Sequence, residues 1–179
     1  GLTDIVTEEA LEDMLANAQE IDYDTAAAKE KELRHDVMAH VYAYAGQAKK
    51  AAGIIHLGAT SQYVGCNTDL ILHRHALALV KRDLVRAING LANTVQRLKK
   101  TPCLGATHFQ VAQPTTMGKR FSLAIQDLLM DLDALEWAEG QLHARGAKGT
   151  TGTQATFLSL FKGDHEKVKK LDEIVSRKL

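Results

Sequence analysis

Leucines recur every seven residues along two stretches of this chain, and no other feature limits the possible folds as strongly. Leu70, Leu77, Leu84, Leu91 and Leu98 make one row, with Ile71, Val85, Ile88 and Val95 beside it. Phe121, Leu128, Leu135 and Leu142 make the other, flanked by Ile125 and Leu132. Seven residues are two helical turns, so each row is one face of a long helix that another helix must cover. The spacing predicts a helix over about 67–100 and a second ending near Arg145, able to pack as an antiparallel pair at a shallow crossing angle. At a rise of ~1.5 Å per residue the first would run roughly 50 Å. Pro102 and Gly105 break the chain between them. Strand alternation is missing, and only 2 prolines and 5% aromatics accompany abundant Ala, Leu, Glu and Lys, so the expected fold class is all-α, a long-helix bundle.

The flanking segments read as shorter helices. Thr7 ahead of Glu8 and Glu9 predicts a cap and a helix to about Gln19. Asp22 or Asp24 caps a second helix, expected to continue through Leu33, Val37 and Val41 to Gly46. Gly53 and Gly58 bracket Ile54-Ile55 and lead by a turn into Thr60-Ser61. Gly146, Gly149 and Gly152, mixed with Thr150, Thr151 and Thr153, form a hydroxyl-rich loop that long helices do not require. It is a candidate binding loop, without the strand and Lys-Ser/Thr of a phosphate loop. Gln154 to Phe161 reads as a short helix, and Asp164 caps a last one to about Lys178.

Charge recruits nothing by itself: 22 basic and 22 acidic residues cancel, which argues against nucleic-acid or membrane partners. Cys66 and Cys103 lie far apart with no zinc spacing around them, so neither a disulfide framework nor a structural metal is expected. With no apolar run long enough to span a bilayer, a cytoplasmic location is the expectation.

Three stretches carry chemistry. Thr107-His108-Phe109-Gln110, followed by Gln113, is expected at the entrance of the second long helix, where unpaired N–H groups favour anions. Histidine is suited to handing a proton to a leaving nitrogen at neutral pH, which makes His108 the candidate acid. Arg34-His35-Asp36, expected mid-helix, is either a salt-bridged surface or, at His35 between Leu33 and Val37, a buried and satisfied histidine. Thr60-Ser61 is either an N-cap or a carboxylate ligand, and His56 just upstream either lines the same pocket or holds the loop. His73, His75, His143 and His165 are expected on solvated faces.

Four motifs in register then bring a family into view. Arg34-His35-Asp36-Val37-Met38-Ala39-His40, Ile54-Ile55-His56-Leu57-Gly58-Ala59-Thr60-Ser61, Thr107-His108-Phe109-Gln110 and Lys148-Gly149-Thr150-Thr151-Gly152-Thr153-Gln154 together resemble adenylosuccinate lyases of the animal type. These belong to the superfamily of fumarase, aspartase and argininosuccinate lyase. The resemblance implies part of that superfamily's long-helix bundle, with residues 1–60 ending an N-terminal helical domain and 61–179 beginning the central one. It implies β-elimination of fumarate from a succinylated purine nucleotide, with no metal or other cofactor, in a homotetramer. It also makes His108 the general acid, Thr60 and Ser61 ligands of the succinyl carboxylates, and Arg34, His35 and Asp36 a substrate-binding triplet. The family's Gly-Ser-Ser and Met-Pro-Tyr-Lys loop, which supplies the base, has no counterpart here, so this stretch alone is expected to be inactive. Two alternatives stand beside this reading: another lyase of the superfamily, such as argininosuccinate lyase, and a helical assembly module without catalysis.

Overall fold

A computed structural model describes residues 2–179. Among them are seven α-helices, one 3₁₀ turn and one β-hairpin, in the order α1 (Glu8–Asn17), α2 (Tyr23–Leu33), α3 (Asp36–Gln47), the turn Lys49–Ala51, α4 (Ser61–Leu98), β1 (Pro102–Thr107), β2 (Gln110–Thr116), α5 (Met117–Gly140), α6 (Ala155–Leu160) and α7 (His165–Lys178). The helical class expected from the heptads holds. None of these helices is long and apolar enough to cross a membrane. The chain divides into two compact units, the first comprising the residues up to Leu70 together with Ala144–Leu179, the second Ile71–His143.

In the first unit, helix starts follow side-chain chemistry. The Thr7 hydroxyl accepts from the Ala10 N–H at 3.2 Å, the Asp22 carboxylate from the Thr25 N–H at 2.9 Å, and Asp164 from the Lys167 N–H at 3.1 Å. One predicted helix is in fact two. Arg34 takes a left-handed conformation (φ 52°) and closes α2, and His35, extended at φ −149°, caps α3. No glycine or proline marks that joint, which is why the helical pattern seemed to run through it. Small residues dominate the core. Ala10, Ala48 and Ala51 pack with Met14, Tyr44 and Ile54, while Ala147, Phe157 and Val168 gather Tyr63, Leu158 and Leu171.

The second unit contains the paired heptads. Lys81 on α4 reaches Glu136 at 3.0 Å and Glu139 at 3.3 Å on α5, and the Arg74 guanidinium donates to the Leu142 carbonyl at 3.0 Å beyond the end of α5. At the opposite end the first turn of α5 meets the last of α4, where a Cβ on the buried Gly118 would fall 2.6 Å from Lys99 Cα and 2.9 Å from the Val95 carbonyl. The pair is therefore antiparallel, as the spacing predicts. Leu77, Leu84, Leu91, Leu128 and Leu135 are half-buried along it, whereas Leu72, Leu79, Val80, Leu123, Met130 and Trp137 remain exposed.

The hairpin corrects the expectation that the chain has no strands. β1 and β2 pair antiparallel from Pro102 opposite Thr116 to Thr107 opposite Gln110, with an irregularity between Leu104 and Ala106. β1 alternates in burial from Pro102 to Gly105, but its half-buried positions are Cys103 and Gly105 and β2 is exposed up to Pro114, so the residue types show no apolar alternation for the sequence to reveal. The Met117 N–H donates to the Thr101 carbonyl at 2.9 Å, which closes the ribbon onto the start of α5.

Candidate active site

A cleft of about 240 Å³ in the first unit is lined by His35, His56, Ala59, Thr60, Ser61, Gly149, Thr150 and Thr156. Three chain segments build it. The cap of α3 contributes His35, the turn into α4 contributes His56 to Ser61, and the Gly-Thr loop with the start of α6 contributes the rest. Thr150 Oγ1 lies 3.2 Å from Thr60 Oγ1, and the Thr156 hydroxyl donates to the Gly58 carbonyl at 2.8 Å, so the turn and the loop are stitched together across the cleft. Hydroxyls, imidazoles and the first turn of a long helix offer hydrogen-bond donors to an anionic ligand. Tyr63, two residues beyond Ser61, packs against the cluster of Ala147, Phe157 and Val168, where burial pushes its phenol above the ordinary range.

His35 has a settled tautomer. Its Nδ1 accepts from the Met38 N–H at 3.4 Å and also lies 3.5 Å from the Asp36 carboxylate. An accepting Nδ1 carries no proton and cannot donate to Asp36. The cap is the interaction with a sound role, because it satisfies an orphan amide of α3, and it leaves Nε2–H as the donor.

The sequence-predicted residues divide. His35, Thr60 and Ser61 come together in the cleft, whereas Arg34 and Asp36 do not line it: Arg34 is exposed at the left-handed joint, and the Asp36 side chain is 78% exposed at the start of α3. His108 is not at a helix mouth. It and Phe109 are the two turn residues of the hairpin, at φ 51° and 59°, exposed, with α5 beginning only at Met117. Helix-dipole stabilisation therefore does not act on it. A two-residue turn with both φ values positive normally selects Asn-Gly; here a His-Phe pair holds it, at a cost of about 1–2 kcal/mol per residue.

The family model described as lyase matches residues 4–176. The chain belongs to this lyase family. Its sequence is 51% identical to the adenylosuccinate lyase of Schistosoma mansoni over 97% of the chain, and 51% identical to that of Saccharomyces cerevisiae over 100% of it. The resemblance read from the four motifs is borne out. The chain spans 36% and 37% of those two relatives' lengths. Among solved structures it is similar to a fumarate lyase from Mesorhizobium, with a TM-score of 0.79 at 21% identity over 93% of this chain and 40% of that one. It is also similar to a β-carboxy-cis,cis-muconate cycloisomerase from Acinetobacter calcoaceticus, with a TM-score of 0.74 at 20% identity over 96% of this chain and 43% of that one. These likenesses give the lyase fold.

Two parts of the cleft are not placed by the sequence. Thr156 looked like an ordinary helix-start residue, and the Gly-Thr loop showed binding chemistry without showing where it folds. His56, which the sequence left between holding the loop and lining the pocket, lines the cleft. His73, His75, His143 and His165 are exposed as expected.

Proposed function

We propose that this chain is a segment of an adenylosuccinate lyase, which eliminates fumarate from adenylosuccinate to give AMP and from the succinylated aminoimidazole carboxamide ribotide in purine nucleotide synthesis. The observation that carries it is the cleft that joins His35, Thr60 and Ser61 to the Gly-Thr loop, all lying on motifs of a chain half-identical to named adenylosuccinate lyases. In the reaction a base removes a proton from the carbon beta to the departing nitrogen. The electron pair passes through an aci-carboxylate to break the carbon–nitrogen bond, and an acid protonates the nitrogen as fumarate forms. Thr60 and Ser61 hold the succinyl carboxylates, Arg34, His35 and Asp36 bind near the nucleotide, and His108 is the acid. The base comes from outside this segment.

In this reading residues 1–60 end the N-terminal domain and 61–179 begin the central bundle of a cytoplasmic homotetramer that needs no metal or other cofactor and completes its site from several subunits. The exposed rows of Leu72, Leu79, Val80, Leu123, Met130 and Trp137 support an assembly, because heptad faces of this length require apolar cover. Fumarate release by the full-length protein, assayed with both succinylated purine precursors and with argininosuccinate, tests the substrate. Release from the purine substrates alone is expected. Release from argininosuccinate alone would replace the purine reading, and release from none would remove the lyase activity. The 179-residue chain by itself is expected to release none.

A further inference from the structure

A carboxylate and a carboxamide that the cleft does not contain fix the backbone that forms one of its walls. Asp172 Oδ1, on α7, accepts from the Ala147 N–H at 2.7 Å and from the Lys148 ammonium at 2.6 Å. Asn67, buried on α4, donates to the Gly146 carbonyl at 3.3 Å and to the Tyr63 carbonyl at 2.8 Å, and accepts from the Arg145 N–H at 3.0 Å. Gly146 sits between the two clamps at φ 69°, and a Cβ there would run into the Asp172 carboxylate. Downstream, the Gln154 amide donates to the Ala147 carbonyl at 3.0 Å, and the Gly149 N–H to the Thr153 carbonyl at 2.6 Å. Every polar group of Arg145 to Gly149 named here is tied to a helix or to the loop itself, so Thr150 is presented to Thr60 on a fixed backbone.

We infer that Asp172 and Asn67 are positioning residues, clamping 145–149 so that Gly149 and Thr150 form the wall of the cleft. The clamp is a matter of structure alone; its kinetic consequence rests on the lyase reading of the cleft. Loss of the carboxylate charge at Asp172, which weakens the bonds from both Ala147 N–H and Lys148, is expected to raise KM about tenfold in the full-length enzyme, while kcat stays within about twofold. A role through the loop also makes Asp172→Asn and Thr150→Ala less than additive, since both release the same contact. Full additivity, or an unchanged KM in Asp172→Asn, overturns the positioning role. Where Asp172→Asn does not fold, Lys148→Met removes only the ammonium, and about a threefold rise that again does not add to Thr150→Ala is expected. Amide exchange on this 179-residue chain reads the clamp without any reaction. Asp172→Asn should speed exchange at Ala147 by at least about tenfold and leave the amides late in α7 unchanged. Equal exchange in both proteins sinks the clamp itself, whereas an unchanged KM in Thr150→Ala sinks the lyase reading of the cleft and the kinetic role with it.

Discussion

Thr60 and Thr150 face each other at 3.2 Å, with the loop that carries Thr150 held by buried Asn67 and by Asp172, whereas His108 stands exposed on a left-handed turn that no glycine eases. Both regions bear residues suited to acid–base or anion chemistry. Only the first is held as a site by its own surroundings. The cleft is organised to bind, and the hairpin tip is a group presented outward, whose geometry its own unit does not fix. Binding and proton transfer should therefore separate on mutation. His108→Gln in the full-length lyase is expected to lower turnover by about 10²–10⁴ while KM stays within about threefold, and Thr60→Ala to raise KM with a smaller loss of kcat. Steady-state kinetics on both variants checks the contrast. Unchanged turnover in His108→Gln would remove it from the acid role.

The next test concerns what each unit needs in order to fold. Gly146→Ala drives a methyl group into Asp172 at a positive φ, and Gly118→Ala drives one into the Lys99 backbone; each is expected to cost about 2–3 kcal/mol by thermal or denaturant unfolding. Their signatures should differ, with Gly146→Ala loosening exchange around 144–150 and Gly118→Ala around the ends of α4 and α5. Loss of protection across the whole chain in either variant would show that the two units unfold as one.

Legibility followed periodicity. The heptad rows made α4, α5 and their antiparallel pairing readable, and Thr7, Asp22 and Asp164 announced their helices by capping chemistry. The joint at Arg34 was hidden because a left-handed arginine carries no local mark, and the hairpin because the half-buried positions of β1 are Cys103 and Gly105, which give no apolar stripe. In the cleft, Thr60, Ser61 and His35 were readable as residue types. Their meeting with Thr150 depends on tertiary bonds from Asn67 and Asp172, which sit on helical segments where they look like ordinary polar residues.

The strain at the hairpin tip gives a smaller effect of opposite sign. Replacing His108-Phe109 by Asn-Gly keeps the turn and removes the left-handed penalty at the glycine while keeping most of it at the asparagine, so the hairpin should gain about 1–2 kcal/mol, seen as slower exchange at Thr107 and Gln110. A turn that loosens instead would mean that the His-Phe side chains, not the backbone type, stabilise it. The same replacement leaves the cleft untouched, which sharpens the division between a region built for its chemistry and one that bears strain.

The smallest expected effect is on acid sensitivity, and it too divides the molecule. Hydrogen bonds from Thr25 hold the Asp22 carboxyl below its ordinary value of 3.8, and hydrogen bonds from Lys167 do the same for Asp164. A depressed carboxyl contributes stability that is complete above its unfolded value and is lost as pH falls through the folded one, because below 3.8 the unfolded chain takes up protons first. The start of α5 is capped by the Thr116 hydroxyl, which accepts from the Lys119 N–H at 3.2 Å and does not titrate. Between about pH 5 and about pH 3, protection at Thr25 and Lys167, corrected for intrinsic exchange, should decline while that at Lys119 holds. Asp164→Asn should abolish the decline at Lys167 and leave it at Thr25. Parallel loss at Lys119 would instead trace the acid response to global opening, because a cap that cannot be protonated has no other reason to weaken.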